Sequence, residues 1–227
     1  MQCMDQKKLR ILILTDSLGC PRKETPVEKT WVERILRKYS RDFIFYTYCE
    51  HGLSTEKLKM DYIMEINPDI IVCQIGIVDA CRRVFSKRFI NLISVIKPLS
   101  KMVNYIARKY HRFFTSIRNL HYVNKQEFQQ KIETLVSYAR KVVFISIAPP
   151  GDSMIEKIYN VKEDVNEYNK VFLNISNGNE SCIFLNPYES EPKTSKFLLE
   201  DGHHLSDYGE DIVCSVVDSY LKMIKDN

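Results

Sequence analysis

Five short apolar runs, separated by amphipathic segments, most constrain how this sequence can fold. Continuous apolar runs of this length are typical of strands that are buried on both faces of a parallel sheet. Most of the segments between them repeat apolar residues at steps of three and four, which predicts helices. Alternating strands and helices predict one parallel sheet covered by helices on both faces. The predicted strands are 11–14, 43–48, 70–75, 142–147 and 182–185, and the predicted helices are 27–39, 56–66, 125–140, 161–175 and 209–224.

Length and composition are those of one globular domain. The chain has 227 residues, and a single hydrophobic core usually stops growing near ~250 residues. Apolar residues make up 44% and charged residues 27% of the chain, which is the ordinary mix of a soluble protein and excludes a disordered one. We therefore predict a single α/β domain over residues 1–227, with a three-layer α/β/α, flavodoxin-like arrangement and roughly five parallel strands.

The cysteines and the N-terminus favour a cytoplasmic location. No segment approaches the ~18 apolar residues of a membrane span, and the apolar run at 11–14 is too short for a signal-peptide core. The cysteines form no Cys-x-x-Cys pair and no Cys/His ligand cluster, so we expect reduced and mostly buried thiols. The seven are Cys3, Cys20, Cys49, Cys73, Cys81, Cys182 and Cys214.

Chemically reactive side chains follow the first predicted strand and recur near the C-terminus. Residues 15–18 read Thr-Asp-Ser-Leu, and residues 201–204 read Asp-Gly-His-His. Ser, His and Asp together supply a nucleophile, a general base and a carboxylate that orients the base. Each stretch alone is a weak signal, because Ser after Asp is common in turns and Asp-x-x-His is common in solvated loops. Their positions in the predicted fold suggest that the two stretches meet in space.

Four motifs in order resemble the SGNH hydrolases, the GDSL-type esterase and lipase superfamily, over essentially the whole chain. Residues 15–18 are similar to the Gly-Asp-Ser-Leu block of that family, with Thr in place of Gly. Gly52 matches the glycine of the second block. Residues 68–79, which begin Pro-Asp and end Gly-Ile-Val-Asp, match the third block, and residues 201–204 match the Asp-x-x-His of the fifth.

The resemblance implies a serine ester hydrolase with Ser17, His204 and Asp201 as its catalytic residues. Ser17 would attack an acyl carbonyl, His204 would take its proton and later give it to the leaving group, and Asp201 would orient the imidazole. The backbone N–H groups of Ser17 and Gly52 would form the oxyanion hole. His204 is the fourth residue of the motif, so His203 is predicted to lie in the pocket wall or on the surface. The alternative is that the two histidines exchange these roles. Neither a cofactor nor a metal site is predicted.

The chain departs from the family pattern at position 78. The family places an Asn there as a third oxyanion donor, and this chain has Val78. Loss of one such donor can cost about 10²–10³ in turnover. Either another group replaces it, or the substrate needs less stabilisation, or the protein mainly binds. Arg82 and Arg83 would supply charge at the mouth of the site unless they are ordinary exposed arginines. The residues predicted to contact substrate are Asp16, Val78, Asp79, Arg83 and His203.

Residues 76–79 followed by Arg83 also resemble a subgroup found among bacterial surface-polysaccharide assembly proteins. That resemblance implies that Val78 is a trait of the subgroup. It also implies an acylated sugar or glycan precursor as substrate, with O-acetyl ester cleavage or acetyl transfer as the reaction. The alternatives are a lysophospholipase or thioesterase-like hydrolase, and a catalytically weak glycan-binding protein of a polysaccharide assembly pathway.

Residues 84–125 are too long for an ordinary connection and are strongly basic. From Arg82 to Lys125 the sequence has eleven Lys and Arg and no Asp or Glu. Apolar residues recur at helical steps on both sides of Pro98, which predicts two short amphipathic helices that form a lid near the carboxyl ends of the strands. Three interpretations are open: a solvated basic face, a site for an anionic glycan, lipid phosphate or membrane headgroups, and nucleic-acid binding, which no recognition motif supports.

Overall fold

The structure is a computed structural model that describes residues 8–226. Its five strands form one sheet in the order β2-β1-β3-β4-β5, and every neighbouring pair is parallel. The strand order reverses between β1 and β3, and in open parallel sheets the crevice at such a reversal is where ligands bind. The strands are β1 (Arg10–Thr15), β2 (Ile44–Cys49), β3 (Ile70–Gln74), β4 (Lys141–Ile145) and β5 (Cys182–Leu185).

Helices cover both faces of the sheet and also form a separate group at its carboxyl edge. They are α1 (Trp31–Tyr39), α2 (Met60–Ile66), α3 (Ile77–Ala80), α4 (Lys87–Ser94), α5 (Lys97–Lys109), α6 (His111–Ile117), α7 (Lys125–Val136), α8 (Asp152–Lys157), α9 (Val161–Gly178), α10 (Thr194–Phe197) and α11 (Asp207–Asp226). Two short 3₁₀ turns lie at Val27–Lys29 and Thr55–Lys57.

The core is divided by the sheet into two halves, because successive side chains of a strand point to opposite faces. Ile11 and Ile13 of β1 pack on the face that α1 and α11 cover, while Leu12 and Leu14 pack on the face that α2, α7 and α9 cover. All four side chains are fully buried. The prediction of a three-layer α/β/α domain with a five-stranded parallel sheet is confirmed.

Several helices are shorter than their apolar patterns predict. Helix α1 begins at Trp31 and not at residue 27, because the Thr30 side chain accepts a hydrogen bond from the Glu33 N–H and caps the helix there. The predicted helix 56–66 begins only at Met60, after a 3₁₀ turn. Helix α7 ends at Val136 and not at residue 140. The chain must turn back there because the Arg140 N–H already bonds the Asp69 carbonyl beside β3.

The basic segment contains three helices, α4, α5 and α6, so the prediction of two is wrong in number. Pro98 does not break a helix, because it lies in the first turn of α5, where its missing N–H costs no hydrogen bond. The interruption lies just before it, at residues 95–96. These helices contribute little to the core: α4 buries only Ile93, α6 buries only Thr115, and α5 buries no residue.

Within residues 8–226, no helix has the length and apolar character needed to cross a membrane. The six described cysteines are free thiols, and four of them, Cys20, Cys73, Cys81 and Cys182, are buried. The prediction for Cys3 falls outside the described residues. The cytoplasmic location stays a prediction from the sequence.

Candidate active site

Ser17 lies in the turn that follows β1, at the carboxyl edge of the sheet. The Asp16 N–H donates to the Gln74 carbonyl at the end of β3 (3.2 Å), which continues the sheet pairing one residue beyond β1. The Asp16 carboxylate accepts the Leu18 N–H at 3.0 Å. These two bonds hold the turn on both sides of Ser17, so the serine is presented at the crevice between β1 and β3.

Asp201 and His204 lie in a tight turn just before α11. The His204 carbonyl accepts the Leu199 N–H at 2.8 Å, which closes the turn. Gly202 has a φ of 79°, in the left-handed region that favours glycine. A Cβ at Gly202 would also lie 2.9 Å from the Met154 backbone nitrogen. This glycine therefore allows the close approach that sets the direction of both catalytic candidates.

The two turns meet, and the three predicted catalytic side chains form one hydrogen-bonded chain. The distance from Ser17 Oγ to His204 Nε2 is 3.1 Å, and that from His204 Nδ1 to Asp201 Oδ2 is 2.6 Å. The other carboxylate oxygen of Asp201 accepts the backbone N–H groups of His203 and His204, both at 3.0 Å. His204, and not His203, faces the serine.

The surroundings favour the protonation states that proton transfer needs. Burial lowers the pKa of His204, the hydrogen bond with Asp201 only partly offsets this, and the nearby charges of His203 and Arg22 lower it further. Burial alone would raise the pKa of Asp201, but hydrogen bonds from the His204 ring and from the backbone N–H groups of His203 and His204 hold it well below its ordinary value. At neutral pH the imidazole is therefore neutral and the carboxylate is ionised.

Two backbone N–H groups are available beside the serine. Within residues 8–226, neither Ser17 nor Gly52 uses its N–H in a hydrogen bond, and both residues line the same cleft. Gly52 has a φ of 68°, so the turn after β2 also depends on a glycine. The segment beyond it is anchored by Asp79, whose carboxylate accepts both the N–H (3.1 Å) and the hydroxyl (3.2 Å) of Thr55.

The structure does not place Asp16 or Asp79 where a substrate would touch them, contrary to the prediction. Both carboxylates are buried and neither lines the cleft. Burial raises the pKa of each to about 7, although the hydrogen bonds from Leu18 and Thr55 oppose the increase. The two aspartates instead position the turns that carry Ser17 and Gly52.

Val78 and Arg83 line the cleft, and their contact with substrate stays a prediction. The Val78 carbonyl accepts Arg83 Nη2 at 2.8 Å, and the Arg83 guanidinium lies over the Tyr122 ring at 5.0 Å. Arg82 also borders the cleft, but it is buried and forms a bidentate pair with Asp164, with Nε–Oδ2 at 2.6 Å and Nη2–Oδ1 at 3.0 Å. Neither arginine is an ordinary exposed one, and the charge of Arg82 is neutralised.

The cleft in front of Ser17 has a volume of about 500 Å³. His203 lines it with its ring against that of His204, at a centroid distance of 3.9 Å. Apolar and basic side chains both line it. The apolar ones are Ile77, Val78, Cys81, Met154 and Ile158, and the basic ones besides the catalytic candidates are Arg82, Arg83, His111 and Lys157.

A second cleft of about 540 Å³ lies at the opposite edge of the sheet, where it is lined by Arg10, Asp69 and Arg140 among others. Its carboxylate is already engaged, since Asp69 accepts the Arg10 N–H at 2.8 Å. No histidine lines it. The cleft at Ser17 is therefore the candidate active site.

The structure adds residues that the sequence did not indicate. Arg22 donates through Nη2 to the Ser17 carbonyl and lies close enough to His204 to affect its pKa. Nothing in the sequence distinguishes Arg22 from other loop arginines. The sequence did draw attention to Gly202, because it lies inside the Asp-x-x-His motif. Its left-handed conformation is seen only in the folded turn. His111 and Lys157 reach the cleft through the packing of α6 against α8.

One group in the described residues has ligand atoms close enough to share a metal ion. It consists of Asp201, His203 and His204, whose candidate atoms lie within 4.8 Å of one another. An ion held by Nδ1 of His204 would have to replace the 2.6 Å hydrogen bond to Asp201. The arrangement fits proton transfer better than metal binding.

Comparisons with known proteins relate the chain to solved structures only. No family model matches it, and no curated protein matches it. A lipase/acylhydrolase from Enterococcus faecalis superposes with a TM-score of 0.63 at 19% identity, covering 96% of this chain and 95% of that one. A GDSL-like lipase from Bacteroides thetaiotaomicron gives 0.59 at 14%, covering 95% and 89%. An acetylxylan esterase from Geobacillus stearothermophilus gives 0.58 at 14%, covering 91% of each chain.

These likenesses extend over nearly the whole of both chains, and at such low identity they establish the fold. The predicted resemblance to GDSL-type hydrolases is therefore confirmed at the level of architecture. The chemistry has to be argued from the residues of this chain.

Proposed function

We propose that this chain, which has the fold of the GDSL-type lipases and esterases, is a serine ester hydrolase that acts through Ser17, His204 and Asp201. The observation that carries the proposal is the chain of hydrogen bonds from Ser17 Oγ to His204 Nε2 (3.1 Å) and from His204 Nδ1 to Asp201 (2.6 Å). A hydroxyl, an imidazole and a carboxylate in this order activate the hydroxyl as a nucleophile.

In the first half of the reaction the ester acylates Ser17. His204 Nε2 takes the hydroxyl proton as Oγ bonds to the acyl carbon, and the carbonyl electrons move onto oxygen. The N–H groups of Ser17 and Gly52 stabilise this oxyanion. When the carbonyl re-forms, the bond to the alcohol breaks, and the alcohol leaves with the proton from His204. Asp201 stays ionised and stabilises the imidazolium.

In the second half the acyl group leaves Ser17. A water molecule gives a proton to His204 as its oxygen attacks the acyl carbon, and collapse of the second oxyanion breaks the bond to Oγ. Ser17 recovers its proton from His204, and a carboxylic acid is released. A sugar hydroxyl in the place of water would give acyl transfer, so the same residues support either outcome.

We propose a short acyl group, O-acetyl, on a carbohydrate or glycan precursor as the substrate class. Three points support it: the basic side chains Arg83, His111 and Lys157 in the lining of the cleft, the resemblance of residues 76–79 and Arg83 to polysaccharide-assembly proteins, and a fold shared with acetylxylan esterases. The apolar lining residues Ile77, Met154 and Ile158 favour a second candidate, a lysophospholipase or thioesterase-like activity on longer acyl chains. Val78 in place of an oxyanion donor favours a third, a catalytically weak glycan-binding protein.

Labelling with a fluorophosphonate tests the nucleophile, and p-nitrophenyl esters of increasing chain length test the acyl group. We expect the wild type to be labelled and Ser17→Ala not to be. Ser153→Ala is the matched control, because Ser153 lies beside the cleft in α8 with its hydroxyl bonded to Lys157 and not to a histidine. Labelling that survives Ser17→Ala would refute the nucleophile. Turnover that rises from acetyl to octanoyl esters would replace the glycan by the lipid-like substrate, and an unlabelled wild type would favour the binding protein.

A further inference from the structure

The basic segment, residues 84–125, carries more than half of the exposed large hydrophobic side chains in the described residues. Eighteen large hydrophobic side chains are exposed in the described residues, and ten of them lie between residues 89 and 117. Leu92 is 72% exposed and Val95 is 81% exposed. So many exposed apolar side chains on one segment indicate a surface that meets a partner or a membrane.

The same segment has a surplus of positive charge, most of which has no carboxylate partner in residues 8–226. It contains nine Lys and Arg and no Asp or Glu, which leaves 24 Lys and Arg against 29 Asp and Glu in the remaining residues. Eight of the nine lie between Lys87 and Arg118. Of these eight, Lys87 alone forms an ion pair with a carboxylate, that of Glu56, among the residues that the structure describes. The surface therefore matches a partner that is negatively charged.

Apolar and basic side chains are interleaved on the exposed side of α5. Lys101, Met102, Tyr105, Arg108 and Lys109 are all exposed and are spaced at steps of three, four and seven, so they lie close together on the helix. Helices that lie in a membrane interface have this composition: the apolar side chains enter the headgroup region, and the long basic side chains reach the phosphates.

We propose that the basic segment docks on the surface of a bilayer that contains anionic phospholipid. A second copy of this chain fits this surface poorly, since a two-fold interface would place the surface against itself. Seven cations without a carboxylate partner in the described residues would then face their counterparts. A nucleic acid would match the charge but would leave Leu92 and Val95 in water. An anionic bilayer satisfies the cations and the apolar side chains together.

Docking would place the candidate active site at the membrane surface. His111, at the start of α6, lines the cleft, and its Nδ1 lies 3.1 Å from the Lys157 carbonyl at the end of α8. Arg112 also donates to the Ile155 carbonyl in α8. The basic segment thus contributes His111 to the lining of the cleft and packs on α8 beside it, so docking of this segment would bring the cleft close to the headgroups. Hydrolysis of an ester at that surface would depend on the proposed function, whereas docking itself does not.

Co-sedimentation of the full chain with vesicles tests the charge contribution. We expect binding to vesicles of phosphatidylcholine with phosphatidylserine, little binding to phosphatidylcholine alone, and loss of binding in high salt. Lys101→Gln with Arg108→Gln should weaken binding by tenfold or more, because each basic residue near an anionic surface contributes about fivefold. The matched control is Lys131→Gln with Lys162→Gln, two exposed lysines on α7 and α9 that form no ion pair in the described residues.

A second pair of variants tests the apolar contribution. Leu92→Ser with Val95→Ser should weaken binding several-fold, whereas Met64→Ser, at an exposed methionine of α2, should not. Ser17→Ala should bind the vesicles as the wild type does. The docking proposal and the ester-hydrolase proposal can therefore fail independently of each other. The docking proposal is overturned by equal binding to neutral vesicles, by no binding, by equal effects of the test and control pairs, or by a preference for single-stranded DNA or an acidic polysaccharide over the vesicles.

Discussion

Apolar and charged side chains have opposite environments in two regions of the protein: the sheet with its carboxyl edge, and the basic segment. In β1 the apolar residues 11–14 are all fully buried, whereas α5 buries none of its thirteen residues. At the sheet edge, His204 and Asp201 are hydrogen-bonded to each other and to their own turn. In the basic segment, seven cations have no carboxylate partner in the described residues.

The difference shows which patterns serve the fold and which do not. Residues at the sheet edge find their partners inside the chain, so their positions follow from packing and hydrogen bonding. Residues of the basic segment find few partners inside the chain, so their pattern points to something outside it. Substitutions in the two regions should therefore affect different properties.

The largest expected effect is that of Asp201→Asn on turnover. An Asn amide can turn an N–H toward His204 Nδ1, which stabilises the wrong imidazole tautomer, and the expected loss in kcat is about 10⁴-fold. Lys101→Gln in the basic segment should leave turnover of p-nitrophenyl acetate in free solution unchanged. Steady-state kinetics on both variants checks this, and an Asp201→Asn enzyme within tenfold of the wild type would contradict the proposed role.

The second largest effect is a difference in stability between variants at a core leucine and at a surface leucine. Leu14→Ala removes a fully buried side chain from β1 and should lower the free energy of unfolding by about 2–5 kcal/mol. Leu92→Ala should change it by less than about 0.5 kcal/mol, as exposed positions do. Urea denaturation measures both values. A cost at Leu92 close to that at Leu14 would show that the basic segment is packed and would remove the contrast between the regions.

A smaller effect is expected at Val78, which lines the cleft where the two regions adjoin. Val78→Asn would add a side-chain donor near the N–H groups of Ser17 and Gly52, and kcat for p-nitrophenyl acetate should rise about tenfold, part of what an oxyanion donor contributes elsewhere. Val78→Leu is the control, because Leu branches at Cγ and has as many side-chain heavy atoms as Asn but no donor, so it should show no gain. If Asn brings no increase over Leu, the third donor is not what this site lacks.

The smallest effect concerns the pH dependence of stability. Burial raises the pKa of Asp16 from 3.8 to about 7, with the charge of Asp79 adding to the increase and that of Arg22 opposing it. Between these values the folded protein holds a proton on Asp16 that the unfolded chain has released, so the contribution of Asp16 to stability is greatest below pH 3.8 and falls as the pH rises toward 7. Asp16→Asn should make this fall shallower in urea titrations, and Lys101→Gln should not change it.

Much of the fold follows from local pattern, because buried strands need unbroken apolar runs. The strand at Cys182–Leu185 agrees with its prediction, and the other four agree to within two residues at each end. The helix starts are less well predicted, since a cap such as that of Thr30 stops an apolar pattern that continues beyond it. The number of helices in the basic segment was wrong because the backbone also leaves the helical conformation at Tyr110, between α5 and α6, where no proline or glycine marks a break.

The parallel α/β architecture and the candidates Ser17, Asp201 and His204 could be read from the sequence, because buried strands and short motifs are local properties of the chain. It took the folded structure to show that His203 does not take the place of His204 beside Ser17, that Asp16 and Asp79 are buried beneath the turns, and that Arg22 bonds the Ser17 carbonyl. Each of these depends on how turns from distant parts of the chain meet at one edge of the sheet. Such distances cannot be read from local patterns in the sequence, because they arise from the packing of the whole domain.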